Sequence, residues 1–432
     1  MRIVYIAAGA GGMYCGACAR DVALVRALQG RGHEVHVLPL YTPLRRDGAE
    51  LPATERIFYG GINVFLQQAS SLFRRTPEAV DRVMDNPTLL RWVSQFAIST
   101  DPAKLGAMTV SVLAGEDGRQ RKELHKLLDY LADVGPEIVV ITNSLLSAIA
   151  PAVKARLGVP VVCLLQGEEE FVSSLGEPFR AQAVELMRAH AQSVDLYVAS
   201  YAKYVGEMAA FLNEPPERIA VFRAGLDLPP RLPGPRHREP FTVGYLSVIT
   251  PGKGLDLLVD AVKRLTEAGR EAHLLIAGKV LNAHFWRGVR QSIEAGKLSH
   301  EYLGEVDYAG KLAFFRRCSA FSVPSRQHEA RGMSFMEAQQ AGVPVVAPAV
   351  GVFPEMLSLT GGGVLVPSGD STVLATALAH LQDDPEEADR LGRTGREGIA
   401  RHYSAARIAE EVEGRFAEVI GAYTGAESGD KD

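Results

Sequence analysis

Two periodicities alternate along the chain. Short apolar runs stand at Arg2–Ala8, Glu34–Leu40, Glu137–Thr142, Pro160–Leu165, Asp195–Ser200 and Ile219–Gly225. Each is too short for a helix and unbroken enough to be a strand buried on both faces. Most are separated by stretches with apolar residues at helical spacing, such as Ala17–Gly32, which closes on Gly30 and Gly32. Strands alternating with helices predict parallel βαβ units. The rhythm breaks over 51–133, where Thr76–Ala97 reads as a helix opening at Thr76-Pro77, so this segment is expected to be a helical insertion.

The stretch Asp227–Pro240, DLPPRLPGPRHREP, is dense in proline. Proline lacks a backbone N–H and locks φ, which excludes a helix interior or a central strand. A linker is expected over 229–240. The βα rhythm resumes at Phe241–Ser247 and continues through His273–Gly278, Ala320–Ser325, Pro344–Ala349 and Gly362–Pro367. Two such runs predict an α/β fold of two doubly wound, Rossmann-like domains, 1–228 and 241–402, facing each other across a cleft. The helical pattern Ala405–Tyr423 follows the last unit, and the polar tail 425–432 is expected to be disordered.

Composition narrows the function. A chain of 432 residues exceeds one ordinary core, which agrees with two domains. With 46 Lys plus Arg against 51 Asp plus Glu, the net charge is −5, which argues against general nucleic-acid binding. No apolar run approaches the roughly 20 residues that span a bilayer. The start, MRIVYIAAGAGGMYCG, reads as a first strand entering a loop and not as a signal peptide. Four cysteines in this length suit a reducing compartment, and the cytoplasm is expected. Basic pairs in Leu44–Gly48 and Leu72–Pro77 would support at most weak peripheral contact with an anionic membrane.

Ligands of open parallel sheets bind beyond the carboxyl ends of the strands, where helix N-termini offer unpaired amides and partial positive charge. The stretch Val323–Pro348, VPSRQHEARGMSFMEAQQAGVPVVAP, fits that place. A strand ending near Ser325 leads to a loop with Glu329, and a helix opens at Gly332. Glycine admits a ligand close to the backbone, so the amides of Met333, Ser334 and Phe335 are expected to face a diphosphate. The carboxylates of Glu329 and Glu337 would then accept hydrogen bonds from hydroxyls on either side. A diphosphate flanked by diol-binding carboxylates describes a nucleotide sugar.

Other motifs lead elsewhere or nowhere. Cys15-Gly-Ala-Cys18 enters a helix start, a place that lowers thiol pKa, and Cys163 could add a third ligand; a redox or metal sensor is one alternative. HEARG has glycine where a zinc protease needs its second histidine, and GAGGMY is not a dinucleotide fingerprint. The eleven histidines show no ligand spacing, and the one D-x-D, Asp430-Lys431-Asp432, lies in the tail. No metal site is expected.

The segment EARGMSFME with AQQAGVPVVA after it resembles the E-x(7)-E signature of retaining glycosyltransferases of family four, fold type B. Gly9–Tyr41 resembles their Gly-rich loop, first helix and second strand; PGKGLDLLVDAV their Lys-Gly phosphate loop; GVFPEM their Gly-Gly-x-Pro-Glu turn; and VDLYVASYAKYVGEM a strand and helix late in the first domain. The resemblance implies a hexosyltransferase that moves a hexose from a nucleoside diphosphate sugar to a hydroxyl acceptor with retention, needing neither metal nor other cofactor. Carried over, Gly11 and Gly12 approach the donor's phosphate and sugar. Lys253 contacts the diphosphate, Glu329 the hexose and Glu337 the ribose. It also implies that the last helix, 403–424, packs back on the first domain. Two positions depart from the pattern. Val248 stands where an arginine is usual, and Gln166 where a histidine is usual. Gln166 can hydrogen-bond a sugar hydroxyl but cannot carry a proton. Arg331 or Arg326 could supply the missing guanidinium. The departures also admit a weakened member that binds a nucleotide sugar and regulates a partner.

Overall fold

The structure, a computed structural model, describes residues 1–7, 16–40, 67–68, 102–227 and 240–429; at 16–19, 102–104 and 425–429 the description is of backbone alone. Gly11, Gly12 and Cys15, most of the expected insertion and nearly all of the expected linker lie outside the described residues, as does the side chain of Cys18. The chain forms two compact units, Met1–Arg223 with Ile408–Asp432, and Ala224–Arg407.

The first unit holds an all-parallel sheet of six strands in the order β2-β1-β3-β4-β5-β6. They are β1 Arg2–Ala7, β2 Glu34–Pro39, β3 Ile138–Ile141, β4 Val161–Leu164, β5 Leu196–Ala199 and β6 Ile219–Val221. The central strands are buried along their whole length, as parallel strands covered on both faces must be. Helices Gly16–Gly30, Ile149–Leu157, Phe179–Ala191 and Ala202–Leu212 are among those that join them. The last helix of the chain, Ala405–Gly429, belongs to this unit from Ile408 onward. Its Ile408, Ala409, Val412 and Phe416 recur on one helical face and enter the core formed by Ile3, Tyr5, Leu24, Leu28, Val140 and Val198. The helix runs on to Gly429, past the point at which a disordered tail was expected. Extending an existing helix adds one hydrogen bond per residue fixed, without a new nucleation cost, so Thr424-Gly-Ala-Glu-Ser-Gly continues it.

The second unit repeats the architecture with its own six parallel strands, in the order β12-β11-β10-β7-β8-β9. They are β7 Phe241–Leu246, β8 Ala272–Ala277, β9 Ser299–Tyr302, β10 Ala320–Phe321, β11 Val345–Pro348 and β12 Gly363–Val366. Helix Leu255–Glu267 shows why the sequence folds this way: Leu255, Leu258, Val259, Val262 and Leu265 repeat at 3.6-residue spacing and all are buried. An aromatic row runs through the core, with Phe321 5.2 Å from Phe335 and Phe335 4.3 Å from Phe353 between ring centroids.

Strand β10 is shorter than the sequence suggests. The ladder covers only Ala320–Phe321, and Val323–Ser325 leave it. Pro324 has no N–H to give a ladder, and Ser322 turns its hydroxyl to the Val346 carbonyl at 2.7 Å. Both sheets reverse direction in mid-order, between β1 and β3 in the first and between β7 and β10 in the second. Such switch points open crevices at the carboxyl ends of the strands.

Candidate functional site

In the second unit, the loops after β7 and β10 meet at the switch point. The first loop is a turn, Pro251–Lys253, closed by Gly254 at φ 70°. A Cβ on Gly254 would stand 2.0 Å from the Pro324 carbonyl oxygen, so this position admits only glycine. The second loop is tied to the first by the Arg326 amide, which donates to the Gly252 carbonyl at 2.8 Å. The Arg326 guanidinium donates to Pro251 O at 2.9 Å and forks onto Asp256 at 2.8 and 2.7 Å. Arg326, considered as a stand-in for the missing guanidinium, is thereby committed to the loop itself.

This clamp brings Lys253 and Glu329 together. The Lys253 ammonium donates to Glu329 Oε1, and the Ser325 hydroxyl lies 3.2 Å from the same oxygen. Both side chains keep about a fifth of their surface exposed, at 21% and 19%. The expected diphosphate-contacting lysine and hexose-contacting carboxylate are therefore each other's partners here. The Glu329 backbone is fixed from behind. Val352 N donates to Glu329 O at 2.8 Å, and a Cβ on Gly351 (φ 55°) would lie 2.3 Å from that oxygen. The GVFPEM turn thus packs backbone on backbone against Glu329.

Gly332 follows at φ 64° and caps helix Met333–Gln340. A side chain there would also meet Met356 Cε at 2.7 Å and Phe353 Cε1 at 3.0 Å. The helix's own hydrogen bonds begin with Phe335 N–H and Met336 N–H, both donating to Gly332 O, at 3.0 and 3.1 Å. That corrects one expectation: the Phe335 amide is already used, and the amides of Met333 and Ser334 alone precede the first intrahelical bond. The Phe335 ring is buried in the aromatic row, so this residue anchors the helix. Arg331 is half-buried immediately before the cap.

Glu337 lies one turn into that helix and is paired with a residue the sequence reading missed. Lys311, on helix Tyr308–Arg317, donates to Glu337 Oε1 at 2.6 Å, with the two side chains 5% and 14% exposed. The signal was present: Lys311 lies three and four residues before Phe314 and Phe315, and all three are buried on one face. Val248 is half-buried, and its carbonyl accepts the Tyr245 hydroxyl at 3.2 Å. Burial pushes that phenol's pKa up, so it remains a donor.

In the first unit, the ends of β3 and β4 are joined around Glu168. Its carboxylate accepts from Ser144 N–H at 2.8 Å and Gln166 N–H at 2.6 Å. Burial raises the Glu168 pKa, and the two amide bonds pull the other way. The Gln166 side-chain amide donates to the Thr142 carbonyl, so a donor expected to serve a sugar hydroxyl is used locally. Gly167, at φ 96°, donates its N–H to the Tyr204 hydroxyl at 2.8 Å, and that hydroxyl donates to Glu169 at 2.5 Å. Three glutamates in a row gave no sign of which would turn inward. Cys163 is fully buried and burial holds its thiol well above the ordinary range, which does not suit a ligand thiolate. Among the described residues, no group of three or more His, Cys, Asp or Glu side chains is placed to hold a metal ion. Nor, among them, is any helix long and apolar enough to cross a membrane.

Comparison with known proteins agrees with this fold. The family described as "Glycosyl transferase 4-like domain" matches residues 19–225, and "Glycosyl transferases group 1" matches 233–398. The phosphatidyl-myo-inositol mannosyltransferase of Mycobacterium leprae is 33% identical over 166 residues, 38% of this chain and 42% of that one. A D-inositol 3-phosphate glycosyltransferase of Segniliparus rotundus is 27% identical over 370 residues, 78% of this chain and 80% of its own length. The chain spans about half the length of the curated relatives it matches first. Among solved structures, sucrose-phosphate synthase from Thermosynechococcus elongatus superposes with a TM-score of 0.69 at 16% identity, covering 98% of this chain and 99% of that one. Anabaena HepE, solved in complex with UDP, gives 0.66 at 15% identity, covering 97% and 100%. At such identities the likeness establishes the fold.

Proposed function

Because the chain belongs to the glycosyltransferases that join a 4-like domain to a group 1 domain, we propose that it transfers a hexose from a nucleoside diphosphate sugar to a hydroxyl acceptor, with retention and without a metal ion. The observation that carries this reading is the Lys253–Glu329 pair set before the Gly332-capped helix at the switch point of the second sheet. A diphosphate entering there would meet the Lys253 ammonium and the Met333 and Ser334 amides. Taking Lys253 would free Glu329 to accept hydrogen bonds from the hexose, and Glu337 would take the ribose diol. The protein's task in this chemistry is electrostatic: it offers fixed donors to the diphosphate as it leaves with negative charge.

Calorimetry with a panel of nucleoside diphosphates, run with a chelator present, tests the donor and the metal together. One nucleoside diphosphate should bind with unchanged affinity in the chelator. Loss of binding on chelation would overturn the metal-free reading. The anomeric configuration of the product, read by NMR, tests retention.

A further inference from the structure

We infer that Lys311 is a positioning residue for the ribose-binding carboxylate, an inference that rests on the proposed role of Glu337. The side chain of Lys311 is 5% exposed and Nζ lies 2.6 Å from Glu337 Oε1. A lysine buried to this degree is uncommon, and burying a charge is costly unless the partner geometry is good. The helix that carries it is held in register. Asp307 caps its start by accepting from Gly310 N–H at 2.8 Å, and Phe314 and Phe315 anchor it in the core. The ring of Tyr308, one turn earlier, has its centroid 5.8 Å from the ammonium. Lys311 therefore approaches Glu337 from a fixed base.

One consequence follows for a ligand: an ammonium on one carboxylate oxygen fixes the rotation of the carboxylate, so the other oxygen is directed in advance of binding. With Lys253 on Glu329 and Lys311 on Glu337, each carboxylate of the motif has its own lysine. The assignments differ. Lys253 is about a fifth exposed and can exchange its partner for phosphate, whereas Lys311 is enclosed and stays with Glu337.

The experiment compares three probes by calorimetry: the nucleoside diphosphate that binds best, its 2′,3′-dideoxy form, and inorganic pyrophosphate. In the wild type the diol should favour the first over the second by roughly ten-fold or more, the scale of a charge-assisted hydrogen bond. Lys311→Met should collapse that ratio toward one, as Glu337→Gln should, and leave pyrophosphate affinity unchanged. Lys311→Arg should recover part of the ratio. In a Lys311→Met, Glu337→Gln double-mutant cycle the two effects should be strongly non-additive. If Lys311→Met fails to fold, the pair Lys311→Met with Glu337→Met removes both charges, and Lys311→Arg alone still reports on the diol ratio. A diol ratio unaffected by Lys311→Met would overturn the inference, as would one that Lys311→Arg lowers as far as Lys311→Met does, and so would a loss of pyrophosphate affinity, which would make Lys311 a phosphate ligand. Failure of every nucleoside diphosphate to bind the wild type would instead overturn the proposed function.

Discussion

Lys253 and Glu329 neutralise each other beside the Ser325 hydroxyl, although they come from loops 76 residues apart in sequence. The pairing makes the two residues compete for partners. Glu329→Gln should leave nucleoside diphosphate affinity intact or tighten it by about 1 kcal/mol at most, because a partly exposed pair is worth little and its loss releases Lys253. The same change should slow hexose transfer by roughly a hundred-fold, the scale of one lost transition-state contact. Lys253→Met should weaken the nucleoside diphosphate by about 1.5–3 kcal/mol. Calorimetry and a transfer assay on both variants check this; equal losses of affinity would refute the competition.

On the proposed reading, Val248, where the family pattern has an arginine, would leave a bound diphosphate short of one donor. Arg326 is held by Asp256 and acts only through the loop it clamps, so Arg326→Ala should cost less affinity than Lys253→Met. Arg331→Ala should cost about 1.5–3 kcal/mol of nucleoside diphosphate affinity, and Val248→Arg should restore part of it. An unchanged affinity in Arg331→Ala would remove that residue from the site.

Gly332 is constrained twice, by φ 64° and by Met356 and Phe353 behind it. Gly332→Ala should destabilise the second unit by about 2–4 kcal/mol, summing left-handed strain and overpacking. Chemical denaturation measures this, and a loss under about 1 kcal/mol would mean that the cap relaxes freely.

His190 titrates below the ordinary histidine range because it is buried, and its Nδ1 lies 3.3 Å from the Ser147 hydroxyl. The folded protein therefore takes up this proton later than the unfolded chain. Its stabilising contribution is full above the ordinary pKa and is lost as pH falls through the depressed one. Thermal midpoints measured from about pH 7 down to about pH 5 should fall less steeply in His190→Gln than in the wild type. Parallel curves would rule this out.

Sequence periodicity carried most of the fold, since strands buried on both faces and amphipathic helices leave distinct signatures, as in Val139–Ile141 and Leu255–Leu265. Gly332 and the turn at Lys253 were legible as backbone features because glycine reports a conformational requirement, met at φ 64° in Gly332 and φ 70° in Gly254. The pairing of side chains was less so. Lys311 and Glu337 stand 26 residues apart and meet only because β10 aligns their helices. The short ladder of β10 was hidden for a related reason: Val323–Ser325 are buried like a strand, yet Pro324 and the Ser322 hydroxyl break the hydrogen bonding that would make them one.

The chain leaves the first unit near Arg223 and re-enters it at Ile408, and within the second unit its two end segments pair, with Leu226 N–H donating to Tyr403 O at 2.8 Å and Ala405 N–H to Leu226 O at 3.0 Å. During synthesis, then, the second unit emerges complete while the first still lacks Ile408, Ala409, Val412 and Phe416. Its apolar face over Ile3, Leu28 and Val140 stays open until the ribosome has made the final helix. The half that begins first is the half that finishes last, and its exposure to aggregation or chaperone capture lasts for the whole translation time of its neighbour.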